Sequence, residues 1–227
     1  MKKYAVLVAG GNGTRMGSSL PKQYLYLSDQ PILLHTLKTF IAAYQDIHII
    51  LVLPEAYVDY TKEIFSENNF QYPVTYVIGG ETRFHSVQNG LKTISDEGIV
   101  FVHDAVRCLV SADLIRRCYD QAIEKGSAIP VVTMKDSVRM VDENNMNYAV
   151  SRNKLRLVQT PQTFQTEILL PSFECTYQES FTDEATVVEA HGQKVFLIEG
   201  EDTNIKITSP VDLLIAEAYL NNRFINY

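Results

Sequence analysis

Residues 4–17 read YAVLVAGGNGTRMG, and the fold follows from how this stretch divides. Tyr4–Ala9 is a short, almost unbroken apolar run that ends on glycines. Its length suits a strand rather than a helix, and the lack of polar alternation suits one covered on both faces. The pattern recurs at Ile47–Leu53, Val74–Ile78, Ile99–His103 and Ala128–Val132. Between these runs, helical spacing of apolar residues predicts helices around Leu34–Tyr44, Val58–Asn68, His85–Ile94 and Ala112–Lys125. Buried strands alternating with amphipathic helices indicate the α/β class, with a doubly wound, mostly parallel sheet.

The chain has 227 residues, which suits one domain over its whole length. With 46% hydrophobic and 21% charged residues it is too apolar for a disordered chain. Lys plus Arg number 20 and Asp plus Glu 27, a formal charge of −7. That balance argues against a nucleic-acid polymer as partner. It leaves room for a small anion, which a few local cations can hold against the global sign. Cys108, Cys118 and Cys175 are sparse and show no CxxC pair, the pattern of reduced thiols in a cytoplasmic protein. No apolar stretch approaches the ~20 residues needed to cross a bilayer. The apolar run after Met1-Lys2-Lys3 passes straight into glycines and lacks the form of a secretory signal.

Residues 135–159 interrupt the alternation: two strand-like halves flank a polar DENN turn. This predicts a protruding β-hairpin arm, and its exposed edges predict a second subunit against it, hence a homodimer. Further on, Ser180 or Thr182 is the expected cap of a helix ending at Ala190, and Val195–Gly200 reads as a strand. Ser209 before Pro210 suits the start of a closing helix that runs to about Asn221.

The glycine-rich loop sits at the carboxyl end of the first strand, where backbone N–H groups can approach a phosphate. It is neither of two standard phosphate motifs. GxxxxGK[ST] fails because no Lys-Ser or Lys-Thr follows, and GxGxxG fails because Met16 occupies the third glycine position from Gly11. Arg15 and the Lys22 of Pro21-Lys22 nevertheless place cations beside it. His35, His48 and His191 lack metal-ligand spacing, and no metal site is read from the residues.

GxGTRM followed by PK resembles the loop of the sugar-nucleotide nucleotidyltransferases. Four further segments extend the likeness: HDAVR at 103–107, QTPQ at 159–162, TDEA at 182–185 and NIKIT at 204–208. In this order they resemble the 2-C-methyl-D-erythritol 4-phosphate cytidylyltransferase family over essentially the whole chain. The related ribitol-5-phosphate cytidylyltransferases share several of these segments. Ser151-Arg152-Asn153 and the TDEAT helix start favour the methylerythritol family. Val106 and Cys108, standing where that family usually has Ala and Pro, point the other way.

The resemblance implies a Rossmann-like sheet of the nucleotide-diphospho-sugar transferase type and transfer of CMP from CTP to a small polyol phosphate, methylerythritol phosphate first and ribitol phosphate as the alternative. It implies that Arg15, Lys22 and Lys206 are catalytic, at the triphosphate and the reacting phosphates. CTP would meet Ala9, Gly10, Gly11 and Gly13, and also Gly80, Glu81, Arg83, Ser86 and Asp104. The second substrate would meet Asp104, Arg107, Ser137, Arg152, Thr160 and Lys206, with Arg152 able to serve the neighbouring subunit. Mg²⁺ would ride mainly on the triphosphate. A non-catalytic sugar-nucleotide-binding module would have eroded Arg15, Lys22 or Lys206, and all three are present.

Overall fold

The first apolar run forms β1, Lys2–Val8, whose side chains from Tyr4 to Leu7 are buried. The structure, a computed structural model, describes residues 1–11 and 20–222. Lys22–Tyr24 makes a short 3-10 turn, and β2 (Tyr26–Leu27) pairs with β3 (Gln30–Pro31) before α1, Ile32–Ala43. The chain then alternates as expected: β4 (His48–Leu53), α2 (Val58–Glu67), β5 (Val74–Ile78), α3 (Arg83–Leu91), β6 (Gly98–Asp104), α4 (Ala112–Lys125) and β7 (Ser127–Thr133). Helix α4 shows the local logic. Ser111 caps it by accepting from the Leu114 amide at 2.9 Å, and Gly126 ends it at φ 88°, a conformation that glycine alone adopts freely.

β1 pairs in parallel with β4 on one edge and β6 on the other, and β4 pairs in parallel with β5. The chain therefore moves outward from β1 to β5 and returns to β6 on the opposite side, which makes a topological switch point between β1 and β6. Beyond β6 the sheet turns mixed. β11, Gln162–Gln165, wedges antiparallel between β6 and β7, while β10 (Arg156–Val158) continues antiparallel along β7. β12, Leu197–Glu199, runs parallel to β7.

Layers cover both faces. Leu37 and Phe40 of α1, Ile64 of α2 and Leu114 of α4 pack on Leu7 and Phe101. Val87 of α3 lies on the other face with Val6 and Val102. There it is joined by Leu169 of α5 (Thr166–Ser172) and Val188 of α6 (Glu184–Ala190). Each such fully buried side chain contributes about 1.5–3 kcal/mol. A third cluster seats Ala216 of α7 (Pro210–Asn222) against Leu27, Ile32, Val106 and Cys108.

Three expectations change. The cap of α6 is Asp183, not Ser180 or Thr182: its carboxylate accepts from the Thr186 amide, and Thr186 Oγ1 accepts from the Asp183 amide in return. The strand expected over 195–200 is confined to Leu197–Glu199. The arm is narrower than 135–159. Its paired strands are β8 (Val138–Val141) and β9 (Asn147–Val150), because β10 is drawn into the main sheet by pairing with β7.

Candidate active site

Two loops meet at the switch point. Ala9–Gly11 leaves β1, and the end of β6 delivers Asp104, level with Val8 in the register. Gln23 fixes the first loop: it is buried and donates from Nε2 to the Ala9 carbonyl at 2.7 Å. A third loop, Gly79–Thr82, enters from β5. The Gly80 amide donates to Ser86 Oγ at 3.1 Å, and the Ser86 hydroxyl donates to the Thr82 carbonyl. A Cβ on Gly80 would stand 2.4 Å from that of His85, so only glycine fits this close approach. Thr82 caps α3, its side chain accepting from the His85 amide.

These loops enclose a cavity of about 270 Å³. Ala9, Gly10, Gly11, Lys22 and Gly80 line it, together with Glu81, Arg83, Ser86, Asp104 and Lys206. Sequence-predicted residues scattered over two hundred positions thus converge on one cleft. Arg15 and Gly13 lie outside the described residues. A second cavity, about 470 Å³, opens beside the first and is lined by Arg107, Lys135, Gln159 and Asn204. Lys206 lines both cavities.

Asp104 organises the charge. Arg83 Nε donates to its Oδ1 at 3.1 Å, Lys206 Nζ stands 2.9 Å from Oδ2, and Arg107 Nε lies 3.6 Å from Oδ2. Burial alone would lift this carboxyl, but Arg83, Lys206 and Arg107 outweigh burial and hold it well below the usual carboxylate range. Arg83 also forks onto Glu184, with Nη2 3.1 Å from Oε2. Burial works against the Arg83 charge, yet Glu184 and Asp104 overrule it and bind the guanidinium proton more tightly than in free arginine. At Glu184 burial prevails over Arg83, and the carboxyl is raised. Lys22 donates to the Ile207 carbonyl at 2.9 Å, which brings a second ammonium to the segment that carries Lys206.

Around the second cavity the contacts are mostly to backbone. Arg107 Nη1 donates to the Asn204 carbonyl at 2.9 Å and Nη2 to that of Val158, while Nε makes no hydrogen bond. Thr160 Oγ1 accepts from the Asp104 amide at 3.1 Å and meets His103 Nδ1 at 3.0 Å. His103 faces away from the cleft, packed edge-on against Phe40. Ser137 and Arg152 are exposed near the arm and line neither cavity of their own chain; Arg152 donates to the Lys135 carbonyl.

Gln23 and Glu184 escaped the sequence reading as site residues. Glu184 lay inside the quoted TDEA segment, but an acid at a helix start ordinarily reads as a solvated end residue. The available signal was the apolar ATVV that follows, which buries that end of the helix.

The family described as 2-C-methyl-D-erythritol 4-phosphate cytidylyltransferase (IspD) matches residues 4–222. Among curated relatives, the protein of that name from Bacteroides fragilis is 44% identical over 220 residues, covering 97% of this chain and all of its own. That from Porphyromonas gingivalis is 45% identical, covering 97% of this chain and 99% of its own. Among solved structures, the 4-diphosphocytidyl-2C-methyl-D-erythritol synthase of Anaerococcus prevotii superposes with a TM-score of 0.82 at 27% identity, covering 97% of this chain and 98% of that one. The Thermus thermophilus cytidylyltransferase gives 0.75 at 30% identity, covering 97% of this chain and all of that one. With the match spanning nearly the whole chain and the cationic cleft at the switch point, the protein belongs to the 2-C-methyl-D-erythritol 4-phosphate cytidylyltransferase family of nucleotidyltransferases.

Proposed function

We propose that the chain transfers the cytidylyl group of CTP to 2-C-methyl-D-erythritol 4-phosphate, releasing pyrophosphate, a step of isoprenoid precursor synthesis. The observation that carries this reading within the site is Lys206, which lines both cavities at once. CTP occupies the first and the polyol phosphate the second, so the two phosphates meet at this ammonium. An oxygen of the acceptor phosphate bonds to the α-phosphorus as the bond to the bridging oxygen breaks, and pyrophosphate leaves with that electron pair. The attacking oxygen is already anionic, so no general base is required. Catalysis then rests on alignment and on cations placed where charge accumulates. Lys22 and Lys206 stand ready for that role, and Gly10, Gly11 and Gly80 border the nucleotide's cavity, while the family resemblance adds Arg15 to the cations and Gly13 to the nucleotide contacts. Glu81, Ser86 and Ala9 border its base and sugar.

Mg²⁺ fits this site as an ion brought by the triphosphate. Among the described residues no three His, Cys, Asp or Glu side chains gather to hold a metal, and both oxygens of Asp104 already face cations. Such a site suits an ion held by phosphate oxygens and water. Bound there, it would neutralise charge on the departing pyrophosphate. The arm supports a homodimer in which Ser137 and Arg152 serve the neighbouring subunit's second cavity, a task for which a guanidinium is well shaped.

Pyrophosphate release from CTP tests the reading, measured with methylerythritol phosphate and with ribitol phosphate in parallel. The first acceptor should be preferred, and Lys22→Ala should lower turnover on the order of 100-fold. Preference for ribitol phosphate overturns the acceptor, and undiminished turnover by Lys22→Ala overturns the assignment of the cations.

A further inference from the structure

Glu184 opens α6 with only 1% of its surface exposed. A carboxylate so enclosed is costly unless paired and hydrogen bonded. Its partner is the end-on fork of Arg83, and the Nε of that guanidinium donates to Asp104 Oδ1 at 3.1 Å. The other oxygen of Asp104 faces Lys206 at 2.9 Å. Four charges thus run in series, from beneath α6 to the ammonium between the two cavities.

Stability is a weak reason for such a series, since buried ion pairs are often matched by apolar residues of similar volume. Direction is a better one. A guanidinium is planar with donors in fixed positions, so a two-point grip by Glu184 sets its plane, and the plane aims Nε at one oxygen of Asp104. Oδ2 is thereby left to Lys206 at 2.9 Å, with Arg107 Nε farther off at 3.6 Å. Released from Glu184, Arg83 could turn its fork onto both oxygens of Asp104, the bidentate arrangement such pairs favour, and displace Lys206.

We propose that Glu184 is a positioning residue for cytidylyl transfer, acting through Arg83 and Asp104 to hold Lys206 where the acceptor meets the α-phosphate. The proposal rests on the reading of the cleft given above. It also makes Arg83 a holder of carboxylates rather than a direct contact of CTP.

Glu184→Gln keeps the shape of the side chain and removes its charge. The expected result is a kcat at least tenfold lower with KM for CTP unchanged or reduced, because Arg83 gains uncompensated charge near the nucleotide. Combined with Arg83→Gln, the loss should be no greater than that of the worse single variant, the non-additivity of residues acting in one series. A wild-type kcat overturns the proposal. So does a parallel rise in KM and fall in Tm that adds to the effect of Arg83→Gln, which is the behaviour of a merely structural residue. If Glu184→Gln fails to fold, Arg83→Lys carries the test: it keeps a cation and loses the fork, and unchanged kcat overturns the proposal. A crystal structure of Glu184→Gln reads the same inference without turnover. The Lys206–Asp104 separation should open beyond about 4 Å, the limit of an ion pair, and a retained contact overturns the proposal. Should the wild type turn over neither acceptor, the reading of the cleft fails, and this structural comparison alone decides the role of Glu184.

Discussion

His103 has no exposed surface, and both ring nitrogens have partners. The Arg107 carbonyl can only accept, so Nε2 carries the proton that reaches it at 3.2 Å, and Nδ1 accepts from the Thr160 hydroxyl. The one hydroxyl proton of Thr160 is therefore turned inward, and the residue acts on Asp104 by receiving its backbone amide. Burial keeps the imidazole neutral and brings its pKa from 6.5 to about 3, with Asp104 opposing. A pKa lowered by folding means that stability is fully present above pH 6.5 and drains away as pH falls toward 3. Between pH 6.5 and 4.5 this residue should cost about 1.4 kcal/mol per pH unit. Urea denaturation across that window should show the slope reduced by that amount in His103→Gln; equal slopes in the two proteins would refute the assignment. The sequence places His103 on the face opposite Asp104 by strand alternation, and that is where it lies. Its link to Thr160, 57 positions away, leaves no trace in local pattern.

Helix α6 is short, and its cap matters correspondingly. Asp183 accepts from the Thr186 amide at 2.9 Å and also from Gln162 Nε2 at 2.9 Å, which ties the helix to β11. Asp183→Ala removes the cap, worth about 1 kcal/mol, and strands a buried amide donor at about 1–3 kcal/mol more. Asp183→Ser keeps a capping oxygen and should recover the first part only. Denaturation midpoints check the ranking, and equal stabilities for the two variants would contradict it. β11 also marks where legibility stops. The strands β1 and β4–β7 and the helices α1–α4 are visible because apolar side chains repeat with period or run unbroken. Gln162-Thr163-Phe164-Gln165 is polar in three of four places yet buried at the sheet centre, where Gln162 turns its amide to α6. Polarity disguised the strand. The cations of the cleft were legible for the converse reason, since phosphate chemistry demands their charge wherever the fold puts them. The departures at Val106 and Cys108 resolve into packing: both belong to the cluster under α7.

At the scale of the molecule, a chain of charge −7 gathers Lys22, Arg83, Arg107 and Lys206 around two adjoining cavities, where Glu81 and Asp104 stand among them. The arm carries the opposite kind of anomaly, an exposed apolar pair. Met140 and Tyr148 face each other across β8 and β9, half or more exposed. Met140→Glu with Tyr148→Lys replaces the apolar pair by opposite charges that still suit a hairpin. Light scattering should show the wild type as a dimer and this variant as a monomer with reduced turnover; an equal mass for the two would refute the arm as the dimer contact. The contact between Lys22 and Ile207 spans 185 positions and closes the early chain onto the late one. The acceptor there is a peptide carbonyl, which every amino acid possesses. A side-chain substitution at position 207 therefore leaves the acceptor atom in the chain and acts on this anchor only by moving the backbone, whereas a substitution of Lys22 removes the donor outright.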